Sequence, residues 1–166
     1  MGVTITGTGS YIPSEIASNN RFNKSQFFNE DGTRIGQKNE IIIEKFKAIT
    51  GIAERRYLED HLSTSDMATF AALKAIEDAA IDVEDLDYII LAHNYGDVKS
   101  GSVQSDTVPS IATRVKHNLK IKNPSCIGYD LMFGCPGWVE GFIQGNAFVK
   151  AGIAQKILVI GAESLS

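Results

Sequence analysis

Cysteine is scarce in this chain: Cys126 and Cys135 are the only two in 166 residues. Two thiols cannot form the disulfide framework of a small secreted domain, and these two lack the paired spacing of a zinc site. Histidine is almost as rare. His61, His93 and His117 stand far apart, none at i, i+4 from another ligand in a metal motif, so no metal is expected. No apolar run approaches the ~20 residues that span a bilayer, and residues 1–10 lack the basic and apolar regions of a signal peptide. Basic residues are neither in excess nor clustered: 16 Lys and Arg against 20 Asp and Glu leave a net charge of −4. That balance removes the electrostatic footprint of a nucleic-acid-binding protein. These absences point to a cytoplasmic protein with neither a membrane nor a nucleic acid as partner.

What is present suits a single domain with one sizeable core, since 43% of the residues are apolar. Val3 to Tyr11 alternates like a strand and ends at the turn residue Pro13. Gly7 and Gly9 raise the possibility of a dinucleotide fingerprint, but Ile12 stands where the third glycine is required. Asn19 to Asn39 is polar and reads as a surface excursion. Ile41, Ile42, Phe46 and Ile49 approximate helical spacing, and Gly51 ends that run. Ser63, Thr64 or Ser65 can cap a helix to about Ala80, whose Met67, Ala68, Ala71, Ala72, Ala75, Ile76 and Ala79 make one apolar stripe.

Asp87 to His93 is apolar throughout its centre, as a buried strand should be, and Ser100 to Thr107 is a Gly and Ser loop. Pro109 suits the first position of a helix through Asn118. A strand from Cys126 to Met132 leads through Gly134-Cys135-Pro136-Gly137 into a helix to about Ala151, and Lys156 to Ala162 is the last strand. Strands alternating with helices predict an α/β fold of right-handed βαβ units, with a mostly parallel sheet covered by helices.

Cys135 is the candidate catalytic residue. Gly134 and Gly137 let the backbone turn tightly around it, and the helix that follows places it at or beside an N-cap. There the unpaired amide donors and the positive end of the helix dipole favour a thiolate, the nucleophilic form. A small buried hydrophobe at a helix start is the competing reading of the local pattern. Cys126, inside an apolar strand, is expected to be structural.

The stretch Tyr129-Asp130-Leu131-Met132-Phe133-Gly134-Cys135-Pro136-Gly137-Trp138 resembles the cysteine elbow of β-ketoacyl-acyl carrier protein synthase III, a thiolase-fold condensing enzyme. Gly7-Thr8-Gly9-Ser10-Tyr11-Ile12-Pro13 looks like that family's opening strand, and Thr50-Gly51-Ile52-Ala53-Glu54-Arg55-Arg56 is similar to its Thr-Gly-Ile-x-Glu-Arg-Arg segment. Pro109-Ser110 and Gly161-Ala162-Glu163 agree in order and spacing.

The resemblance covers essentially all 166 residues and implies the N-terminal, βαβαβ half of a thiolase-like enzyme whose C-terminal half is absent. It implies that Cys135 takes an acyl group from acyl-CoA and condenses it with malonyl-acyl carrier protein, with loss of CO2, as in fatty acid or polyketide-type synthesis. It further implies a homodimer, no cofactor beyond acyl-CoA as substrate, and Cys135 amide donation to the oxyanion. A second oxyanion donor and the catalytic His and Asn would come from the other half, so these 166 residues alone are expected to be inactive. Alternatives are a non-decarboxylative or secondary-metabolite ketosynthase, or a non-catalytic dimerising module.

Several positions depart from the family pattern. Lys45 and Ile49 stand where a tryptophan and an arginine hold the CoA adenine, Val108 replaces an aromatic residue, and Pro136 replaces a small residue after the cysteine. The cofactor-binding residues are therefore not assigned. Arg55 and Arg56 are read as a solvated pair rather than a phosphate site, His93 as a satisfied structural histidine, and Phe133 and Trp138 as wall residues packed beside the elbow.

Overall fold

The computed structural model describes residues 2–164. They form two compact units: Pro13–Glu59, and the residues up to Ile12 together with those from Asp60 onward. The surface excursion expected for Asn19 to Asn39 thus belongs to a unit of its own, within a chain that composition alone reads as one domain.

In Pro13–Glu59, strand β1 (Glu15–Ser18) pairs antiparallel with β2 (Glu54–Tyr57). Between them lie a 3-10 turn at Asn19–Lys24 and helix α1 (Asn39–Thr50), which buries Ile42 and Ile43. Phe46 of α1 meets Phe22 and Phe27 edge-on, which supplies a small aromatic core. Gly51 closes α1 at φ 71°, a left-handed conformation that favours glycine.

The larger unit opens with helix α2 (Thr64–Ala79), fastened by a capping box in which Ser63 and Asp66 satisfy each other's backbone N–H groups. Strand β3 (Tyr88–His93) follows, then the short ribbon of β4 (Asp97–Val98) and β5 (Ser105–Asp106), which occupies part of the expected loop. Helix α3 (Ile111–Asn118), strand β6 (Ile127–Met132), helix α4 (Gly137–Lys150) and strand β7 (Ile157–Gly161) complete the order. Pro109 does not hold the first helical position predicted for it. Ser110 is the N-cap, its hydroxyl accepting from the Thr113 N–H, and a capping hydroxyl satisfies a donor that proline would merely omit.

Strands β6, β3 and β7 form a parallel sheet in that order, with Leu91 opposite Asp130 on one side and Ile160 on the other. Helices α2 and α3 pack on one face and α4 on the other. The central strand therefore has two dry faces. Ile89 and Leu91 point into the core with Ile111, Val115 and Ala72, whereas Ile90 and Ala92 point at α4, to which each is the neighbour of a glycine.

Gly137, Gly141 and Gly145 repeat every four residues and are buried against the sheet. A Cβ on Gly137 would lie 3.0 Å from the Ala92 Cβ, and one on Gly141 2.9 Å from Val159 Cγ1. The helix backbone itself is the packing surface, a feature that the apolar periodicity of the sequence does not reveal.

Val3 to Tyr11 is not a strand. Its backbone finds side chains of α2 instead of a neighbouring ladder: the Thr8 N–H donates to Asp78 at 2.8 Å, and Lys74 Nζ donates to the Ser10 carbonyl at 2.8 Å. Alternation signals extended backbone but not the presence of a partner strand. The α2 alanines divide accordingly, with Ala68, Ala72 and Ile76 in the core while Ala71, Ala75 and Ala79 receive Gly7 and Gly9. A Cβ on Gly7 would meet the Ala75 carbonyl at 2.5 Å, and one on Gly9 would collide with the Ala71 carbonyl and the Ala75 nitrogen. Those are helix backbone atoms and cannot rotate away. Gly9→Ala should therefore lower the unfolding free energy by ~1–3 kcal/mol in urea titration. Gly2→Ala, with nothing within 4 Å, should leave it within ~0.5 kcal/mol.

Candidate active site

Cys135 lies where β6 hands over to α4. The Gly137 N–H donates to the Gly134 carbonyl at 3.0 Å, which makes Cys135 and Pro136 the central pair of a tight turn, and Gly134 enters it at φ 74°. Pro136 is the N-cap of α4, and its carbonyl accepts from the Glu140 N–H at 3.1 Å. Cys135 is therefore one residue outside the cap. Its side chain is exposed, unlike that of a buried structural cysteine, and its own N–H has no acceptor among the described residues. The arrangement offers a thiol and a free amide donor side by side at a helix N-terminus. Cys126 is buried, as expected, and burial pushes its thiol up from the ordinary range.

Four polar residues, in two groups, gather at or near the carboxyl ends of the neighbouring strands, where open parallel sheets place their chemistry. His93, at the end of β3, has no exposed side-chain surface. Its Nε2 lies 3.0 Å from Asp130 Oδ2, and its Nδ1 accepts from the Gly96 N–H at 2.9 Å. An N–H facing Nδ1 requires that nitrogen to be the acceptor, so the ring proton sits on Nε2 and is donated to Asp130. Asp130 also accepts from the N–H groups of Ile111 and Ala112 at 2.7 and 2.8 Å, the first turn of α3. His93 is thus a satisfied structural histidine, and Asp130 ties β6, β3 and α3 together.

Asn94 and Glu163 form the second group. Glu163, just past β7, accepts at Oε2 from both the backbone N–H and the side-chain amide of Asn94, each at 2.6 Å. The Asn94 Oδ1 faces Gly134, at 3.7 Å from where a Cβ on that glycine would stand. Asn94 carried no signal in the sequence except its place after a buried strand.

Phe133 and Trp138 are not packed away as expected: they are 55% and 48% exposed. Trp138 stacks edge-on with Phe142 at 4.5 Å and covers Gly161, leaving its outer face open. In the smaller unit, Arg55 donates to Asn19 at 2.9 Å and lies over the Phe22 ring, while Arg56 meets Glu54 at the surface. Lys45 donates to Gln37, and Ile49 and Val108 are largely exposed. A cavity of about 650 Å³ lies elsewhere, lined by Asp60, Asp66, Asp97, Asp106 and Arg114 among others. Arg114 bridges Asp97 and Asp106 there and holds the Asp106 carboxyl below the usual range. Among the described residues no group of side chains could hold a metal ion, and no helix is long and apolar enough to cross a membrane.

The family model described as 3-oxoacyl-[acyl-carrier-protein (ACP)] synthase III matches residues 129–166, which include the turn around Cys135. Over the whole chain the sequence is 34% identical to a β-ketoacyl-[acyl-carrier-protein] synthase III of Oceanobacillus iheyensis, covering 46% of that protein. Over 98% of the chain it is 36% identical to β-ketoacyl-[acyl-carrier-protein] synthase III 1 of Vibrio cholerae, covering 44% of it. Over essentially its whole length the chain is thus similar to β-ketoacyl-acyl carrier protein synthase III proteins.

The chain spans about half the length of the curated synthase III relatives it matches. The crystal structure of 3-oxoacyl-[acyl-carrier-protein] synthase III from Aquifex aeolicus superposes with a TM-score of 0.77 at 30% identity, over 99% of this chain and 46% of that one. The α/β sheet with helices on both faces is accordingly a thiolase-like fold, as expected from the sequence.

Two measurements follow from this geometry. Native protein should release one equivalent of thiolate chromophore from a disulfide reagent, from Cys135, and two in denaturant. Two fast equivalents in the native state would contradict the burial of Cys126. Asp130→Ala strips His93 and two helix N–H groups of their acceptor and should cost ~3–5 kcal/mol in urea titration. Asp130→Asn should cost less, because its amide oxygen still accepts.

Proposed function

We propose that this chain supplies the nucleophile of a decarboxylative condensing enzyme that joins an acyl group from acyl-CoA to malonyl-acyl carrier protein. The observation that carries the reading is the exposed Cys135 thiol beside its own unpaired N–H, on the turn that opens α4. The Cys135 sulfur attacks the thioester carbonyl, and the bond to the CoA sulfur breaks as CoA leaves with the electron pair. The oxyanion formed on the way lies within reach of a donor such as the Cys135 amide, whose charge-assisted hydrogen bond is available because it serves no other acceptor. In the second step the malonyl C–C bond breaks and CO2 departs. The remaining carbanion attacks the acyl carbonyl and expels the Cys135 thiolate.

The resemblance assigns a second oxyanion donor, a His and an Asn to the half of the synthase III proteins that this chain does not match. His93 is no substitute, since both of its ring nitrogens are engaged. Condensation therefore needs residues beyond these 166, and the complete enzyme acts as a cytoplasmic homodimer in fatty acid or related synthesis. Lys45 and Ile49 at the adenine-holding positions favour a CoA contact that differs from the family's usual one.

Incubating the complete enzyme with acyl-CoA should add one acyl mass to the peptide that contains Cys135, and Cys135→Ser should reduce that labelling by at least ~100-fold. Undiminished labelling of the folded variant would overturn the assignment.

A further inference from the structure

We propose that Glu163, acting through Asn94, is the positioning residue that sets the Cys135 turn. The inference rests on the reading of Cys135 as the nucleophile.

Gly134, Asn94 and Glu163 follow β6, β3 and β7, three adjacent strands whose order places Asn94 between the other two. Glu163 Oε2 accepts two hydrogen bonds of 2.6 Å from Asn94, one from the backbone and one from the amide nitrogen. A carboxylate has only acceptors, so it fixes which end of the amide faces it: the NH2 turns toward Glu163, and Oδ1 turns toward Gly134. Gly134 has φ 74° and carries the carbonyl that closes the turn around Cys135. Among the described residues, its chain neighbours aside, the Asn94 oxygen is the one group within 4 Å of the place a Cβ would take.

The second observation is the other carboxylate oxygen. Glu163 Oε1 is buried and has no hydrogen-bond partner among the described residues. Leaving a charged acceptor oxygen unsatisfied is costly, and neutral or apolar residues would fill the same place without that cost. Asp130, by contrast, divides its bonds between both oxygens. A carboxylate retained under this strain is explained by the orientation it imposes on Asn94. The consequence reaches Cys135 because its N–H lies in the same peptide unit as the Gly134 carbonyl, and its Sγ is carried by the Cα that this unit positions.

The test is the rate of Cys135 alkylation by iodoacetamide across pH in the complete enzyme, in parallel with acyl transfer from acyl-CoA. Asn94→Ala and Glu163→Ala should each slow alkylation about tenfold, and the double variant should be no slower than either single one, because both break one chain of contacts. Glu163→Gln, whose oxygen can still accept from Asn94, should recover most of the rate. A role confined to stability would lower the melting temperature and leave alkylation of the folded protein unchanged.

Single-variant rates within twofold of the parent, or losses that multiply to a hundredfold in the double variant, would overturn the inference. If Glu163→Ala does not fold, Asn94→Ala and Glu163→Gln decide it. Failure of Cys135 to accept an acyl group, with the alkylation pattern intact, would sink the proposed function and leave the positioning role standing.

Discussion

The backbone of α4 lies directly on the side chains of the sheet, with no helix side chain between Gly137, Gly141 or Gly145 and Ala92, Ile90, Val159 and Ile157 beneath. Most of the site depends on that contact. A helix that approaches a sheet through side chains keeps a separation set by their size, whereas glycines every four residues let the axis come close enough for Ala92, Ile90 and Val159 to touch its main chain. The first of the three, Gly137, is also the first helical residue, so the close approach begins where β6 ends. The chain then has only Phe133 to Pro136 in which to reverse direction, and the residue pushed outward at the bend is Cys135.

A helix start brought so close to the strand ends also sets the electrostatics. Unpaired N–H groups and the N-terminal end of the α4 dipole face the same region as the carboxyl ends of β3 and β7. Two carboxylates lie near them, Asp130 within β6 and Glu163 just past β7, and are used differently. Asp130 is saturated by a neutral histidine and by the N-terminus of α3, and it serves as a joint between layers. Glu163 is only half saturated and leans on Asn94, beside the turn. The same side-chain chemistry thus divides into a structural and a positioning use according to how many donors the fold places around it.

The amino-acid sequence by itself determined most of the elements. The unbroken apolar runs Tyr88 to Ala92 and Ile157 to Ile160 marked two strands, Ser63, Thr64 or Ser65 marked the start of a helix, and Gly134-Cys135-Pro136-Gly137 between a strand and a helix marked Cys135 as the candidate nucleophile. Each of these is a short-range matter, decided by the period of apolar residues or by turn and cap chemistry within a few positions. The tertiary structure decided what depends on a partner distant in sequence. Val3 to Tyr11 alternates like a strand yet settles on α2, because a ladder requires a neighbour and the glycines fit the α2 backbone instead. Trp138 stays half open, Asn94 becomes part of the site, and His93 is locked to Asp130, since contacts 37 residues apart or more for Asn94 and His93 leave no local trace in composition or spacing.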